Sequence, residues 1–232
     1  MILLGIDTSS DWLHVVAGED DKVINSISIC RPKQHVSILH SSIDEVLKKT
    51  GFNIKDVDVF VVVKGPGSFT GIRIAVTTVK GFAYALDKRV VSLSSLDLLA
   101  QNALDSEERL IVPLIDAKRG QVYAAYYTND NNIAIGVKDS MLVKIGDVLD
   151  AIDEPVVLLG DGVEAYKREI EEIRVHKKIS ILNEDYWILR NENIIKLGYR
   201  KYQDKGGENI FDLKPLYLYP KECTIRKNLP QR

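Results

Sequence analysis

Residues 64–73 read KGPGSFTGIR, with Gly65, Gly67 and Gly71 around Pro66 and Ser68. A glycine-rich loop that opens a helix can cradle phosphate on its backbone amides. A nucleotide P-loop follows its last glycine with lysine and then a hydroxyl residue. Here Ile72 and Arg73 stand in those places, and Gly65 and Gly71 lie one residue too far apart. The P-loop is therefore excluded. Two readings remain. One is a strand–turn–helix elbow, in which Pro66 fixes a turn residue and Ser68 or Thr70 caps the helix. The other is an anion site at the helix N-terminus. The elbow is the simpler, since helix caps far outnumber phosphate sites.

Other candidates are weaker. Asp7, Thr8 and Ser9 end the first apolar run, where hydroxyls and amides could surround a phosphate or close an Asx or ST turn. Asp116 with Arg119 is either an ion pair that fixes a hairpin or a catalytic carboxylate. Gly160-Asp161-Gly162 is a nucleotide-facing turn or a helix start. A metal pair on a helix needs histidines four residues apart, but His35 and His40 are five apart. They therefore point about 140° away from each other. His14 and His176 are isolated, so no metal site is expected. No Ser/His/Asp signature of a hydrolase stands out. Lys221, Arg226, Lys227 and Arg232 form a basic tail, either solvated or touching phosphates.

The elements that must carry these residues follow from periodicity. Ile2–Ile6, Trp12–Ala17 and Val23–Ile29 read as a three-stranded meander. Val36, Leu39, His40, Ile43, Val46 and Leu47 share one helical face, and Gly51 ends that helix. Val57–Val63 is apolar throughout most of its length, as a strand covered on both faces requires. A helix from Thr70 to Leu86, a strand at Val90–Leu93 and a helix capped by Ser94 or Ser95 complete the first unit. The order then restarts with strands at Leu110–Ile115, Val122–Thr128 and Ile133–Val137. A helical segment at Ile145–Ile152, a strand at Val156–Leu159 and a further helix follow. Each copy opens with a strand ending in Ile-Asp, Ile6-Asp7 and Ile115-Asp116. Lys201–Asp212 reads as a loop. The expected fold is α/β: a duplicated ribonuclease-H-like, actin-like ATPase (ASKHA) architecture. Residues 1–104 make an N-terminal lobe, and residues 105–232 make a degenerate C-terminal lobe with a flexible tail.

Composition narrows the partners. The 232 residues carry 31 basic and 33 acidic side chains, a formal net charge of −2, with no basic face to grip nucleic acid alone. Cys30 and Cys223 are far apart, which suits a reducing compartment. With no signal-peptide pattern and no membrane-length apolar stretch, a cytoplasmic chain is expected.

The sequence GPGSFTGIR closely resembles GPGSFTGLR, the signature of the TsaB (YeaZ) family, which precedes a small-residue helix. MILLGIDTSS is similar to that family's opening ILAIDTS. RPKQHVSILHSSIDEVL resembles its first helix, with His35 where a histidine is usual. LIDAKRGQVYAAYY is similar to DAR-x-GEVY, and PLYLYP to P-x-YLR. Lys118, Gln121 and Tyr219 depart from arginine, glutamate and arginine, so no charge-borne role carries over to them. The resemblance covers most of the chain. It implies a non-catalytic relative and obligate partner of TsaD, the enzyme that transfers a threonylcarbamoyl group to adenosine 37 of tRNAs reading codons that begin with A. It also implies work alongside the ATPase TsaE, contact with tRNA only through the complex, and a homodimer when alone. No activity alone and no intrinsic cofactor are expected; ATP is used by the complex, and a nucleotide could sit at the partner interface. The competing reading is a small-molecule kinase or ATP hydrolase of the same fold.

A helical wheel of Thr70–Leu86 locates an interface. Ile72, Ala75, Val76, Val79, Ala83 and Leu86 form the stripe for the chain's own sheet. Ile74, Thr77, Thr78, Gly81 and Ala85 fall opposite. Past Arg73, Lys80 is the only charge before Asp87. A helix without a charged face is usually covered on both sides. The neighbouring helix offers Ile38, Ser41, Ser42 and Glu45 beside it. This combined face is expected to meet TsaD, or a second copy of the chain.

Overall fold

The computed structural model describes residues 1–106 and 110–218. Its first sheet is built from β1 (Ile2–Asp7), β2 (Trp12–Glu19), β3 (Lys22–Cys30), β4 (Val59–Val63) and β5 (Arg89–Leu93). The strands lie in the order β3-β2-β1-β4-β5. Tight turns join the antiparallel β1, β2 and β3. β1, β4 and β5 run parallel, which demands crossovers. Those crossovers carry α1 (His35–Thr50) and α2 (Phe69–Leu86). Gly51 stops α1 in the left-handed region at φ 77°, and Ser68 caps α2 by accepting from Gly71 N. All five residues of β4 are buried, which accounts for its run of valines and phenylalanine.

Alternation along the strands supplies two cores. Leu4, Ile6, Val15 and Phe60 pack under α1 and α2. Leu3, Val16, Val61 and Leu93 face the other way, onto Leu98, Leu99, Ile194 and Ile195.

The second sheet repeats the scheme. It contains β6 (Leu110–Lys118), β7 (Gln121–Asn129), β8 (Ala134–Lys144), β9 (Val156–Leu159) and β10 (Ile179–Ile181), in the order β10-β9-β6-β7-β8. Reversed, that is the order of the first sheet. The architecture is the two-lobed actin-like fold. The second copy has only short crossover helices: α4 (Ile145–Asp150), α5 (Asp161–Ala165) and α6 (Lys167–Arg174). Between the lobes, α3 (Ser95–Gln101) gives Leu98 and Leu99 to one core and Leu96 and Ala100 to another.

Four expectations need correction. β8 runs on to Lys144, past the expected Val137. It is an edge strand, where Lys138, Asp139 and Ser140 meet water without penalty. Val36 and His40 do not lie on the buried face of α1; both are exposed, and His35 is buried instead. Residues 201–205 are not loop but the end of α7 (Asn191–Lys205). Its apolar stripe is only Ile194, Ile195 and Gly198, too narrow to stand out in sequence. Nor do residues 105–232 form one packed body, because α7 lies on the first sheet. Gly198 permits this: a Cβ there would come 2.6 Å from Val61.

Beyond α7 a strap, residues 206–218, returns along the first lobe. Glu208 N donates to Val90 O at 2.7 Å, Lys80 Nζ to Leu213 O at 3.2 Å, and Leu216 N to Lys64 O at 2.8 Å. Tyr219, Cys223 and the basic tail lie outside the described residues.

Candidate functional site

The glycine elbow is seated on the turn that follows β1. Ser68 N donates to Ser9 O at 2.7 Å, and Thr8 Oγ1 donates to Gly71 O at 2.7 Å. Ser95 Oγ donates to Ser9 Oγ at 3.2 Å, and Ser95 N to Gly65 O at 3.0 Å. A Cβ at Gly67 would stand 2.3 Å from Ser9 O, and one at Gly71 only 1.8 Å from Thr8 O. These glycines are needed because two backbones meet there. The Ser68 and Gly71 amides and the Thr8 hydroxyl, which could have held an anion, are bound within the chain instead. Thr70 is exposed, and the cap is Ser68 alone. Pro66 is buried behind the loop, and Arg73 projects outward with its guanidinium 5.3 Å from the Phe69 ring centroid.

Asp7 closes an Asx turn: its Oδ1 accepts from Ser9 N at 2.8 Å. Its side chain is fully buried, and burial raises its pKa above the ordinary value, opposed by the charge of His14. His14 is the cross-strand partner of Asp7 and is equally buried. Burial lowers its pKa. Its Nδ1 lies 2.9 Å from Ser28 Oγ and 3.2 Å from Asn191 Oδ1. This cluster is not legible in sequence, because Asn191 arrives from a helix far along the chain. His35 is buried with Nε2 3.3 Å from Asp11 O, while His40 lies edge-on to Phe82. Among the described residues no group of three His, Cys, Asp or Glu side chains is placed to hold a metal ion.

Asp116 lies near the end of β6, two residues before its last, as Asp7 ends β1, but its partner is Lys118, not Arg119. Lys118 Nζ donates to Oδ2 at 2.5 Å and Lys118 N to Oδ1 at 2.7 Å. Lys118, Arg119 and Gly120 all have positive φ, so the chain curls Lys118 back while Arg119 points into solvent. Tyr166 OH donates to Oδ1 at 3.1 Å, and Asp116 N donates to Asp161 Oδ1 at 2.9 Å. Partial burial pushes the Asp116 carboxyl up, but the hydrogen bonds and charge of Lys118 outweigh it and hold the pKa down. Gly160-Asp161-Gly162 begins α5. A Cβ at Gly160 would stand 2.2 Å from Leu114 O, the same close approach as at Gly67 and Gly71.

On α2, Thr77, Gly81 and Ala85 are exposed, and Ile74 and Thr78 are half-buried. A Cβ at Gly81 would meet nothing within 4 Å. On α1, Ser41 and Glu45 are exposed and Ile38 is half-buried. Ser42 does not belong to this face: it is buried, and its hydroxyl donates to Ile38 O at 2.8 Å. Four exposed aromatic rings were missed. Phe69 stacks on Tyr217 at 5.0 Å, and Tyr84 meets Phe211 edge-on at 6.2 Å. Tyr84 and Phe211 are 70% and 69% exposed, so neither ring belongs to a core. A wheel extended to Phe69 and Tyr84 finds the helical pair; no local signal places the strap beside them.

No helix among the described residues is long and apolar enough to cross a membrane. A family model described as TsaD: tRNA N6-adenosine threonylcarbamoyltransferase matches residues 29–187. A tRNA threonylcarbamoyladenosine biosynthesis protein TsaB of Bacillus subtilis is 35% identical over 75% of this chain and 76% of its own. One from Buchnera aphidicola subsp. Acyrthosiphon pisum is 33% identical, covering 94% of this chain and 97% of its own. Among solved structures, an uncharacterized Pseudomonas aeruginosa protein with similarity to peptidase YEAZ aligns with a TM-score of 0.80. It is 25% identical over 94% of this chain and 99% of its own.

Proposed function

We propose a role from one premise: the chain belongs to the TsaB (YeaZ) family. It takes part in forming N6-threonylcarbamoyladenosine on tRNA, at position 37 of tRNAs reading codons that begin with A. Its part is that of a non-catalytic partner. It binds and supports TsaD, works with the ATPase TsaE, and meets tRNA only within the complex. It holds no cofactor of its own; ATP is used by the assembly. A nucleotide could be held at the partner interface.

One observation carries the reading: the outer face of α2 has no charged residue over Ile74, Thr77, Thr78, Gly81 and Ala85, and among the described residues Thr77, Gly81 and Ala85 stay exposed, with nothing within 4 Å of a Cβ built at Gly81. Aromatic rings border that face at both ends, as at protein interfaces. The occupant is TsaD, and a second copy of this chain when TsaD is absent. The elbow supports the same choice over a kinase, because the Ser68 and Gly71 amides and the Thr8 and Ser68 hydroxyls are engaged within the chain.

Gly81→Arg tests this. The variant should melt cooperatively as a folded monomer, yet lose TsaD binding and self-association in sedimentation, and lose threonylcarbamoyl transfer in the reconstituted system. Retained binding would place the interface elsewhere. A robust ATPase of the wild-type chain alone, lost in Asp7→Ala, would restore the kinase reading.

A further inference from the structure

β5 ends the strand order of the first sheet, with β4 on its inner side. An edge strand leaves amides and carbonyls that need partners. The strap supplies them. At Val90 it does so as a strand would: Glu208 N donates to Val90 O at 2.7 Å, and the two residues form an antiparallel bridge. Two residues further along β5, a side chain takes over. Ser92 is fully buried. Its amide donates to Glu208 Oε1 at 3.0 Å, and its hydroxyl lies 2.8 and 2.9 Å from the two carboxylate oxygens. Lys201, near the end of α7, completes the junction. Its Nζ donates to Glu208 Oε1 at 2.7 Å and to Ser92 O at 2.6 Å. The two charged side chains are 31% and 29% exposed, so this pair is less open to water than the pairs on α5 and α6. Burial pushes the Glu208 carboxyl up, but the hydrogen bonds of Lys201 and Ser92 outweigh it and hold its pKa down.

Phe211 lies three residues beyond Glu208, on a short turn. Phe211 N donates to Asn209 Oδ1 at 3.0 Å, and Leu213 N to Asn209 O at 3.2 Å. The ring buries too little surface to hold its own position. The turn has an anchor on each side instead. On one side Leu213 is buried in the core under α1 and α2, and its carbonyl accepts from Lys80. On the other side stands Glu208.

We propose that Glu208 is a positioning residue for docking: its carboxylate, gripped by Ser92 and Lys201, latches the strap to β5 and so holds Phe211 against Tyr84 as a prepared part of the TsaD-binding face. This rests on the docking reading above. A partner that meets a latched strap need not order it. When the ring is in place in only a fraction of molecules, the apparent affinity falls by that fraction. The latch serves one end of the face, since Tyr217 is tied down separately, by Leu213 and by Leu216 N on Lys64 O.

Hydrogen exchange and calorimetric titration with TsaD, both on the full chain, test the latch. In Glu208→Ala the Ser92 and Glu208 amides should exchange roughly tenfold faster or more, as loss of hydrogen bonds to a charged group predicts. The Leu216 amide should exchange as in the wild type. Phe211→Ser should weaken TsaD binding in the wild-type background and add little in Glu208→Ala, the non-additivity of residues that act as one. Glu208→Gln keeps an oxygen in the place of Oε1 and should restore most of the binding. Unchanged exchange in Glu208→Ala, or an equal Phe211→Ser loss in both backgrounds, overturns the latch. If Glu208→Ala does not melt cooperatively, Lys201→Met removes the cation from the same junction and replaces it in both measurements. The docking reading fails separately: if Gly81→Arg and Phe211→Ser both leave TsaD binding intact, TsaD docks elsewhere and the proposal falls with that reading. If Gly81→Arg abolishes binding while the losses from Glu208→Ala and Phe211→Ser simply add, the latch alone falls.

Discussion

The two lobes use one plan and face different surroundings. β1 ends in Ile6-Asp7 and β6 carries Ile115-Asp116 two residues before its end, and both are clasped by glycines at the start of the helix after the next parallel strand. Yet Asp7 is sealed beneath α7, while Asp116 sits at a hairpin mouth with Lys118 and Tyr166 on its oxygens. The crossover helices differ in the same way. α2 is 18 residues long with a bare, uncharged outer side. Its counterpart is broken into α5 and α6, 5 and 8 residues long, whose surface carries the pairs Lys167–Glu164, Arg168–Glu172 and Arg174–Glu171. Such exposed pairs add little stability. They mark a face that water covers. Duplication therefore preserved the backbone plan, while the surroundings left one lobe a long helix with an uncharged outer side and the other short helices laced with exposed ion pairs.

The sharpest way to break this comparison is at the clasps. Gly71→Ala and Gly160→Ala each force a Cβ into the opposite backbone. Both should cost about 4 kcal/mol or more in urea unfolding, at the extreme for single substitutions. Gly81→Ala, on an open helix face, should gain up to about 1 kcal/mol of helix propensity. A mild Gly71→Ala would mean that the elbow is slack, with room for a ligand.

A smaller effect separates the two helical faces. Tyr84→Ser combined with Phe211→Ser should weaken TsaD binding by about tenfold or more in calorimetry, as loss of interface aromatics does. Arg168→Glu on α6 should leave binding unchanged. Equal losses from both would remove the distinction between the lobes.

The subtlest test concerns the two aspartates, whose linkage to pH has opposite sign. Asp116 has a depressed pKa in the folded chain, so its stabilisation is present above the unfolded value of 3.8 and lost as pH falls through the folded value. Asp7 has a raised pKa, so its contribution is full below 3.8 and lost as pH rises through the folded value. Asp116→Asn should cost under about 1 kcal/mol at neutral pH, since the site is partly exposed. The difference should vanish in acid. If it grows there, Lys118 is not what holds Asp116.

Much of this organisation is legible in sequence because it is local. The valine run of β4, the stripe Ile72–Val79–Ala83 and the glycine spacing each announce themselves within one element. The fate of the elbow is not local: its closure depends on Thr8 and Ser9, brought from the end of β1. Asp116 was visible, but its partner was not, because the positive φ of Lys118 turns that side chain back. The exposed uncharged and aromatic face is legible only in its helical half. Phe211 and Tyr217 lie in a strap with no period to read, and α7 hides its narrow stripe among lysines and arginines. Ser42 reads as outward on a wheel, but its hydroxyl bonds within the helix and lets it turn inward.

The return of α7 to the first sheet has a consequence for synthesis. Leu3 and Val16 leave the ribosome early, but Ile194 and Ile195, which cover them, emerge late. The first lobe therefore closes through contacts of very large sequence separation, the kind that slow folding. Its two faces mature at different times: the α1 and α2 side can consolidate while the chain is still growing. The opposite side stays greasy until the last helix arrives. Translation that stops before α7 leaves Leu3, Val16 and Val61 without the cover of Ile194 and Ile195.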